Sequence, residues 1–165
     1  MCFVSCRKAS DEIPVTEKEL PDMILENARY TFGQPGRKPV IMQADKITVM
    51  KENLKTELEN VTFSQMSEDG DYIEMSGSCD KAVSINNRHA TLTGNVKLHK
   101  ITDQIEIECN ELDWDDEHGI LKSPGWVRVQ YQNGTDMTAK GFTAKLNENV
   151  YTFEKLENGI YRSDE

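Results

Sequence analysis

The sequence predicts an all-β fold, in which long antiparallel strands stack side by side in a sheet that folds over on itself. Two observations carry this prediction: apolar and polar side chains alternate over long stretches, and turn signals recur at regular spacing. Alternation with a period of two, rich in β-branched and aromatic residues, is typical of half-buried antiparallel strands. The turn signals are spaced 15 or 17 residues apart and are centred on Asp69, Asn86, Asp103, His118, Asn133 and Glu148.

Composition limits the possible functions. The chain has 165 residues, which suits one domain with its own hydrophobic core. Its formal net charge of −10 disfavours contact with nucleic-acid phosphates and with anionic membrane surfaces. The sequence contains no apolar run of the roughly 18 residues that a membrane-spanning helix needs. A nucleic-acid-binding protein and a large enzyme with a separate cofactor domain are therefore excluded.

Proline positions divide the chain into an irregular start and a patterned remainder. We interpret residues 1–6 as the remnant of a signal peptide or lipobox, residues 7–22 as a charged, extended tether, and residues 23–165 as the β domain. The first strand is expected near Ile24–Phe32. The segment Lys51–Asn60 could be helical by propensity, but its flanks alternate, so we expect a hairpin there. The last turn signal is the pair Asn158-Gly159.

Each patterned segment is long for one strand, since strands usually have about 5–6 residues. A glycine inside a strand commonly marks a bulge or a sharp bend. We therefore expect each long strand to bend at its centre, so that its two halves lie in two facing sheets. The glycines near the segment centres are Gly77, Gly94, Gly125 and Gly141.

The alternation also selects the side chains that point inward. An ordinary sandwich would enclose them in a closed core, whereas an open interior would leave a long apolar groove for a ligand. The predicted interior residues are Ile47, Val49, Val61, Phe63, Ile73, Met75, Val83, Ile85, Leu92, Val96, Leu98, Ile105, Ile107, Val127, Val129, Phe142, Leu146 and Phe153.

The chain also repeats itself weakly. The segments Cys79–Ile85, Cys109–Asp115 and Lys140–Leu146 align with offsets of 30 and 31 residues, which correspond to two turn intervals. A repeated hairpin of this kind is typical of a stack of similar rungs.

Three segments carry a resemblance to a known family. They read ATLTGNVKLHK at residues 90–100, IEIECNELDWDDEHGILKSPGWVRV at residues 105–129, and GTDMTAKGFTAKL at residues 134–146. On these motifs the chain resembles the lipopolysaccharide-export family LptC, and also its relatives LptA and the N-terminal domain of LptD. Residues 40–47 (VIMQADKI) resemble the first rung of the domain, and the likeness extends over roughly Met23 to Tyr161.

The resemblance implies a β-jellyroll and a transport role without catalysis or a cofactor. Such a protein passes lipopolysaccharide, or a related glycolipid, from an inner-membrane ABC transporter toward the outer membrane, with the acyl chains inside the jellyroll. The predicted interior would then bind lipid. The expected partners are the jellyroll domains of the transporter, at an edge near Ile24–Phe32 or Val40–Val49, and an LptA-like bridge protein, at the edge Val150–Tyr161.

Two other functions fit parts of the pattern. One is an LptA-like periplasmic bridge protein, although the tether at residues 7–22 favours LptC. The other is a carbohydrate-binding or adhesion β-sandwich without a lipid interior. The two tryptophans and five tyrosines of the chain are few for a sugar-binding surface.

The first residues suggest an attachment to the inner membrane on the periplasmic side. The tetrapeptide Phe3-Val4-Ser5-Cys6 fits a permissive lipobox. We expect Met1 to fall inside a longer signal peptide, with Cys6 as the lipidated first residue of the mature protein. The alternatives are that an N-terminal membrane segment precedes this chain, or that Met1 is the true start and Cys6 an ordinary thiol.

Candidate catalytic or metal-binding groups are weak. The acidic run Asp113–Gly119 lacks the spacing of an EF-hand loop, so we expect a solvated hairpin tip. The three histidines lack the spacing of zinc hydrolases. Cys79 and Cys109 share a repeat phase, and either a disulfide or two free thiols is compatible with it, free thiols being preferred. No enzyme activity and no metal site are predicted.

Overall fold

A computed structural model describes residues 20–32 and 38–160. Over these residues, nine strands form one antiparallel sheet in which each strand pairs with its neighbours in chain order. The predicted all-β, antiparallel architecture is confirmed. The strands are β1 (Met23–Phe32), β2 (Val40–Met50), β3 (Lys55–Met66), β4 (Ile73–Ile85), β5 (His89–Lys100), β6 (Ile105–Asp115), β7 (Ile120–Tyr131), β8 (Asp136–Lys145) and β9 (Val150–Ile160).

Short turns connect the strands at almost every predicted position. The hairpin predicted over Lys51–Asn60 is confirmed, since β2 and β3 join through a turn at residues 51–54. The turn predicted at Asn158-Gly159 is wrong. These residues lie in β9 and pair with Thr138 and Met137 of β8, which supplies the backbone partners that keep the strand extended.

Backbone pairing is interrupted near the middle of the strands, along a line that we call the crease. Asn60 and Asn95 adopt left-handed conformations here, with φ of 52° and 46°. Their side-chain amides donate to carboxylates of the preceding strands, Asn60 Nδ2 to Asp45 Oδ2 and Asn95 Nδ2 to Asp80 Oδ2, each at 2.9 Å. The crease crosses the sheet at Asn27, Asp45, Asn60, Asp80, Asn95, Asn110, Gly125 and Gly141.

Three of the four glycines predicted to mark bends lie at the crease, and Gly77 does not. Gly94 has a φ of +74°. Gly77 is regularly paired with Phe63 and Leu98, three residues before the crease in β4. A Cβ at Gly77 would lie 2.2 Å from the backbone oxygen of Lys97 and 2.4 Å from Phe63 Cζ, so this glycine makes room for the neighbouring strand and an aromatic ring, and not for a bend.

The sheet folds over at the crease, so that opposite ends of the strands meet. In a flat sheet, the β5–β6 turn and the β8–β9 turn would lie at opposite ends of strands about 35 Å long. Lys100 Nζ nevertheless donates to Asn149 Oδ1 at 2.6 Å, which joins these two ends. Tyr30 Oη donates to Asn87 Oδ1 at 3.2 Å and joins the opposite ends of β1 and β4 in the same way. The predicted bend into two facing halves is thus present.

The concave face of the folded sheet forms the hydrophobic core. It is contributed by β2 to β8, while β1 and β9 supply only partly buried side chains and form the two edges. The edges carry exposed apolar residues, including Ile24 on β1 and Leu156 on β9. The core is therefore lined on both sides by halves of the same strands.

Candidate functional site

The concave face brings most of the predicted interior residues together. In a twisted, folded sheet, inward side chains from alternate positions of neighbouring strands form a continuous apolar surface. The members that are buried are Ile47, Val61, Phe63, Met75, Leu92, Val96, Leu98, Ile105, Ile107, Val127, Val129 and Phe142. The same face carries the buried hydroxyls of Thr56, Ser84 and Ser123, and the rest of it is apolar, so it could bind an apolar chain mainly through contact area.

Three predicted members are partly buried and pack against this surface from its periphery. They are Val49, Leu146 and Phe153. The ring of Phe153 lies with its centroid 5.6 Å from that of Phe142, so the first half of β9 completes one end of the apolar face.

The prediction was wrong for Val83, Ile85 and Ile73. In β4, Cys79 is buried before the crease and Ala82 is buried after it. The residues that point inward therefore have odd numbers before the crease and even numbers after it, which we call a change of parity. This change places Val83 on the outer face and leaves Ile85 47% exposed. Ile73 keeps the inward parity but lies at the first position of β4, beside a register shift at Gln65 and Met66, and is 41% exposed.

The sequence analysis missed a large part of the face. Val40, Met42 and Ala44 alternate in the first half of β2, and that signal could have identified them. Leu112 and Trp114 were hidden by their acidic neighbours, although both are buried at 2% exposure or less. The other missed residues are Leu58, Cys79, Ala82, Ala90, Leu121, Ala139 and Ala144.

A cleft of about 540 Å³ opens where the two ends of the sheet meet, and we call it the mouth. Its apolar lining includes Met75, Trp114 and Leu146. Lys38 lies at its rim and forms an ion pair with Glu74, with Nζ and Oε2 2.6 Å apart. The mouth therefore has a charged rim and a partly apolar floor that borders the interior.

A group of four polar side chains, which we call the Lys100 cluster, borders the mouth. The Lys100 ammonium contacts Asp103 Oδ2 and Asn149 Oδ1, both at 2.6 Å, and Tyr151 Oη donates to Asp103 Oδ2 at 2.5 Å. The Lys100 side chain is only 9% exposed. The cluster ties the β5–β6 turn to the β8–β9 hairpin, from the two opposite ends of the strands.

The pKa values of the cluster reflect burial and charge pairing. Burial opposes ionisation of Asp103, but hydrogen bonds from Lys100 and Tyr151 outweigh it and hold the pKa of this carboxyl below its usual value. Burial, the hydrogen bond to Asp103 and the negative charge of that carboxylate all raise the pKa of the Tyr151 phenol. At neutral pH Asp103 is therefore an ionised carboxylate and Tyr151 a neutral phenol.

The acidic run Asp113–Gly119 forms the end of β6 and the β6–β7 turn. Thr91 Oγ1 donates to Asp113 Oδ1 at 2.8 Å, and Asp115 Oδ2 lies 2.7 Å from His118 Nδ1. Within residues 20–32 and 38–160, no group of three or more His, Cys, Asp or Glu side chains is arranged to hold a metal ion.

Cys79 and Cys109 are free thiols on the non-adjacent strands β4 and β6. Burial raises the pKa of the Cys79 thiol to about 12 and that of Cys109 to about 11. Both thiols are therefore protonated and unreactive at neutral pH.

The predicted lipidation site, Cys6, and residues 7–19 of the predicted tether lie outside the described residues. Within the part of the chain that is described, no helix is long and apolar enough to cross a membrane.

Comparisons with known proteins agree with this geometry. The family model described as "LptC: Lipopolysaccharide-assembly, LptC-related" matches residues 3–161. A search of curated proteins finds no match. Among solved structures, the fold is similar to the crystal structure of LptH from Pseudomonas aeruginosa, described as the LptA-homologous periplasmic component of the lipopolysaccharide transport device. The TM-score is 0.60 at 10% identity, over 72% of this chain and 83% of that chain.

Proposed function

Because the chain belongs to the LptC family of lipopolysaccharide-assembly proteins and is thus a periplasmic component of lipopolysaccharide transport, we propose that it carries the glycolipid with its acyl chains against the concave face. The observation that supports this proposal is the continuous apolar surface formed by β2 to β8. The role requires binding and release, and it needs no catalytic residue.

Contact area supplies the binding energy. Each methylene removed from water contributes about 0.8 kcal/mol, so ten buried methylenes contribute about 8 kcal/mol before the cost of making room for them. Specific polar contacts are unnecessary for a chain of this kind. A uniform apolar surface also accepts acyl chains of different lengths.

The phosphorylated saccharide of the glycolipid stays outside the fold. The protein has a net charge of −10, and Glu68, Glu74 and Asp116 line the mouth, where they disfavour an anionic group. Lys38 is already paired with Glu74. This charge distribution thus favours an arrangement in which the acyl chains lie inside the fold and the saccharide lies outside it.

Photo-crosslinking in vesicles with an active transporter tests the acyl-chain site. A photoreactive residue at Leu92, which is fully buried, should capture lipopolysaccharide. The same residue at neighbouring Thr91, whose hydroxyl faces Asp113 on the outer side of the sheet, should not. Val129 and Arg128 provide a second pair on β7. Equal capture from both positions of a pair, or none from either, would leave a closed core without a ligand.

The sheet edges are the proposed contacts with protein partners. An edge strand offers unpaired backbone groups that can add a strand from another protein. We place the transporter's jellyroll domains at β1 and an LptA-like bridge protein at β9. A photoreactive residue at exposed Ile24 should therefore crosslink to the transporter, and one at exposed Leu156 to the bridge protein. Capture of both partners from one edge would contradict this polarity.

Lipidation of Cys6 is the proposed attachment to the inner membrane. The motif Phe3-Val4-Ser5-Cys6 followed by a charged tether supports it. The protein expressed from its native locus should partition into detergent, and the Cys6→Ala variant should not. Unchanged partitioning and mobility of this variant would indicate another form of attachment.

A further inference from the structure

The concave face is closed to solvent, which is a problem for any lipid that must reach it. Leu92, Leu112 and Leu121 have no exposed surface, and Leu98 has only 1%. An acyl chain can contact these side chains only after the two halves of the sheet have moved apart. The contacts that hold the halves together therefore control access to the interior.

The described residues include two sets of polar contacts that cross between the facing halves. The hydrogen bond from Tyr30 to Asn87 is neutral, exposed and 3.2 Å long. The Lys100 cluster is partly buried, contains an ion pair at 2.6 Å, and joins two side chains, those of Asn149 and Tyr151, to the Lys100 end of the sheet. Charge-assisted hydrogen bonds are stronger than neutral ones, so the Lys100 cluster is the stronger of these two ties across the fold.

We propose that the Lys100 cluster is a latch that holds the β8–β9 hairpin closed beside the mouth, and that its release admits the glycolipid. This inference rests on the proposed function and names what regulates the same site. Lys100 and Leu146 both line the mouth, so movement of the hairpin away from Lys100 enlarges that cleft directly.

The element that the latch holds is suited to movement. β9 is an edge strand that pairs only with β8. Among the described residues of β9, only Tyr151 and Phe153 are partly buried, and the others are exposed. Strands with few buried contacts open at a lower free-energy cost than the core. The tip of the β8–β9 hairpin, with the start of β9, can therefore swing outward while the β2–β8 sheet stays paired.

The chemistry of the cluster suits a reversible contact. Separation of this partly buried ion pair returns both charges to water, and their solvation offsets much of the lost attraction. A purely apolar contact of the same size has no such compensation. The latch therefore fixes one closed arrangement while it leaves opening accessible.

Hydrogen exchange of the full-length protein tests the latch itself. The Lys100→Met variant keeps the length of the side chain and removes its charge. Amides of residues 150–153 should exchange at least tenfold faster in this variant, while amides of β4 and β5 stay protected. The matched control is Lys97→Met, which removes an exposed partner of Glu108 on the outer face and should leave β9 exchange unchanged. Unchanged exchange at residues 150–153 in Lys100→Met would overturn the latch.

A milder variant protects the test against loss of folding. Tyr151→Phe deletes only the hydroxyl that donates to Asp103 and should accelerate the same amides by a smaller factor. Accelerated exchange spread equally over all strands in both variants would mean general destabilisation, and the latch would be rejected.

Reversible closure tests the role in loading. A cysteine at each of positions 100 and 149, joined by a short reducible thiol crosslinker, should abolish lipopolysaccharide capture from Leu92, and reduction should restore it. A crosslinked protein that loads as well as the reduced protein would overturn the loading role. If even the protein without these cysteines captures no lipid, the proposed function fails, whereas the exchange measurement still decides whether the latch exists.

Discussion

The rings of Phe63 and Trp114 lie with their centroids 6.0 Å apart, although β3 and β6 are separated in the sheet by two strands. Phe63 lies in the second half of β3 and Trp114 near the end of β6, at opposite ends of the strands. Their contact crosses the folded interior beside the mouth. It reports directly on whether the two halves of the sheet face each other.

A double-mutant cycle on this pair measures the fold-over. Trp114→Ala should lower the free energy of unfolding by about 3–5 kcal/mol because it leaves a large cavity. Phe63→Ala should be similar, and the coupling between the two changes should be about 0.5–1.5 kcal/mol. Urea unfolding of the four proteins gives these values. Strict additivity would mean that the rings do not touch in solution.

The overall architecture could be predicted because it depends on local patterns. Alternation along β5 and β7 identified the inward side chains, and turn residues such as Asn86 and Asn133 marked where strands end. The repeat phase at Cys79 and Cys109 also had a structural basis, since each precedes a crease position, Asp80 or Asn110. Local propensity and the global fold agree along most of the chain.

The errors at Val83 and Ile85 come from the number of residues at the crease. In β5, buried Leu92 and Val96 are four positions apart, so the parity is kept. In β4, buried Cys79 and Ala82 are three positions apart, so the parity changes. Alternation alone does not show how many residues a bend contains, because asparagine or aspartate can occupy an unpaired bend position as glycine does.

Charge placement at two apolar positions tests the corrected parity. Val96→Asp buries a carboxylate without a partner and should cost about 3–5 kcal/mol of unfolding free energy. Ile85→Asp, at a position first assigned to the interior but exposed beside Lys55 on the paired strand, should cost less than about 1 kcal/mol. Denaturant unfolding distinguishes the two, and equal costs would contradict the parity change in β4.

Two glycines of the crease should respond differently to alanine. At Gly94 the φ of +74° is unfavourable for alanine, and the new Cβ would lie 2.4 Å from Asp80 Oδ2, so Gly94→Ala should destabilise the fold by about 1–3 kcal/mol. At Gly125 no atom lies within 4 Å of an added Cβ. Gly125→Ala should be neutral or stabilise by up to about 1 kcal/mol. Thermal unfolding of both variants checks this, and the reverse order would refute the crease geometry.

Acid should weaken the contribution of Asp103. Its pKa is lowered in the folded state by Lys100 and Tyr151 against the effect of burial, and Tyr131 is the other titratable side chain that interacts with it. A depressed pKa stabilises the fold above the unfolded-state value and loses that effect as the pH falls through the folded value. The stability difference between wild type and Asp103→Asn should thus be largest at pH 7 and should shrink as the pH falls through the folded-state pKa of Asp103, which lies below the unfolded value of about 3.9.

The comparison of wild type with Asp103→Asn isolates the Asp103 carboxylate, because the other carboxylates with lowered pKa values titrate over the same pH range in both proteins. A stability difference that persists unchanged from pH 7 to pH 2 would show that the Asp103 carboxylate is not held ionised by the cluster. These other carboxylates are Asp69, Asp115 and Asp136.

The Lys100 cluster could not have been predicted from the sequence. Lys100 and Asn149 are 49 positions apart, and they meet only because the sheet folds over by a particular angle. The mouth has the same origin, since its lining comes from several turns and strand ends. Sequence patterns define faces of strands, whereas contacts between opposite ends depend on twist and curvature accumulated over many strands.

Fluorescence quenching by lipopolysaccharide with brominated acyl chains tests the central claim most directly. The chain has two tryptophans, so Trp126→Phe leaves only Trp114 in the interior, and Trp114→Phe leaves only the exposed Trp126 on the outer face. Bromine quenches only tryptophans that it approaches closely. If the acyl chains enter the folded sheet, Trp114 fluorescence should fall on loading while Trp126 fluorescence stays constant. Quenching of Trp126 alone, or of neither, would contradict an acyl-chain site on the concave face.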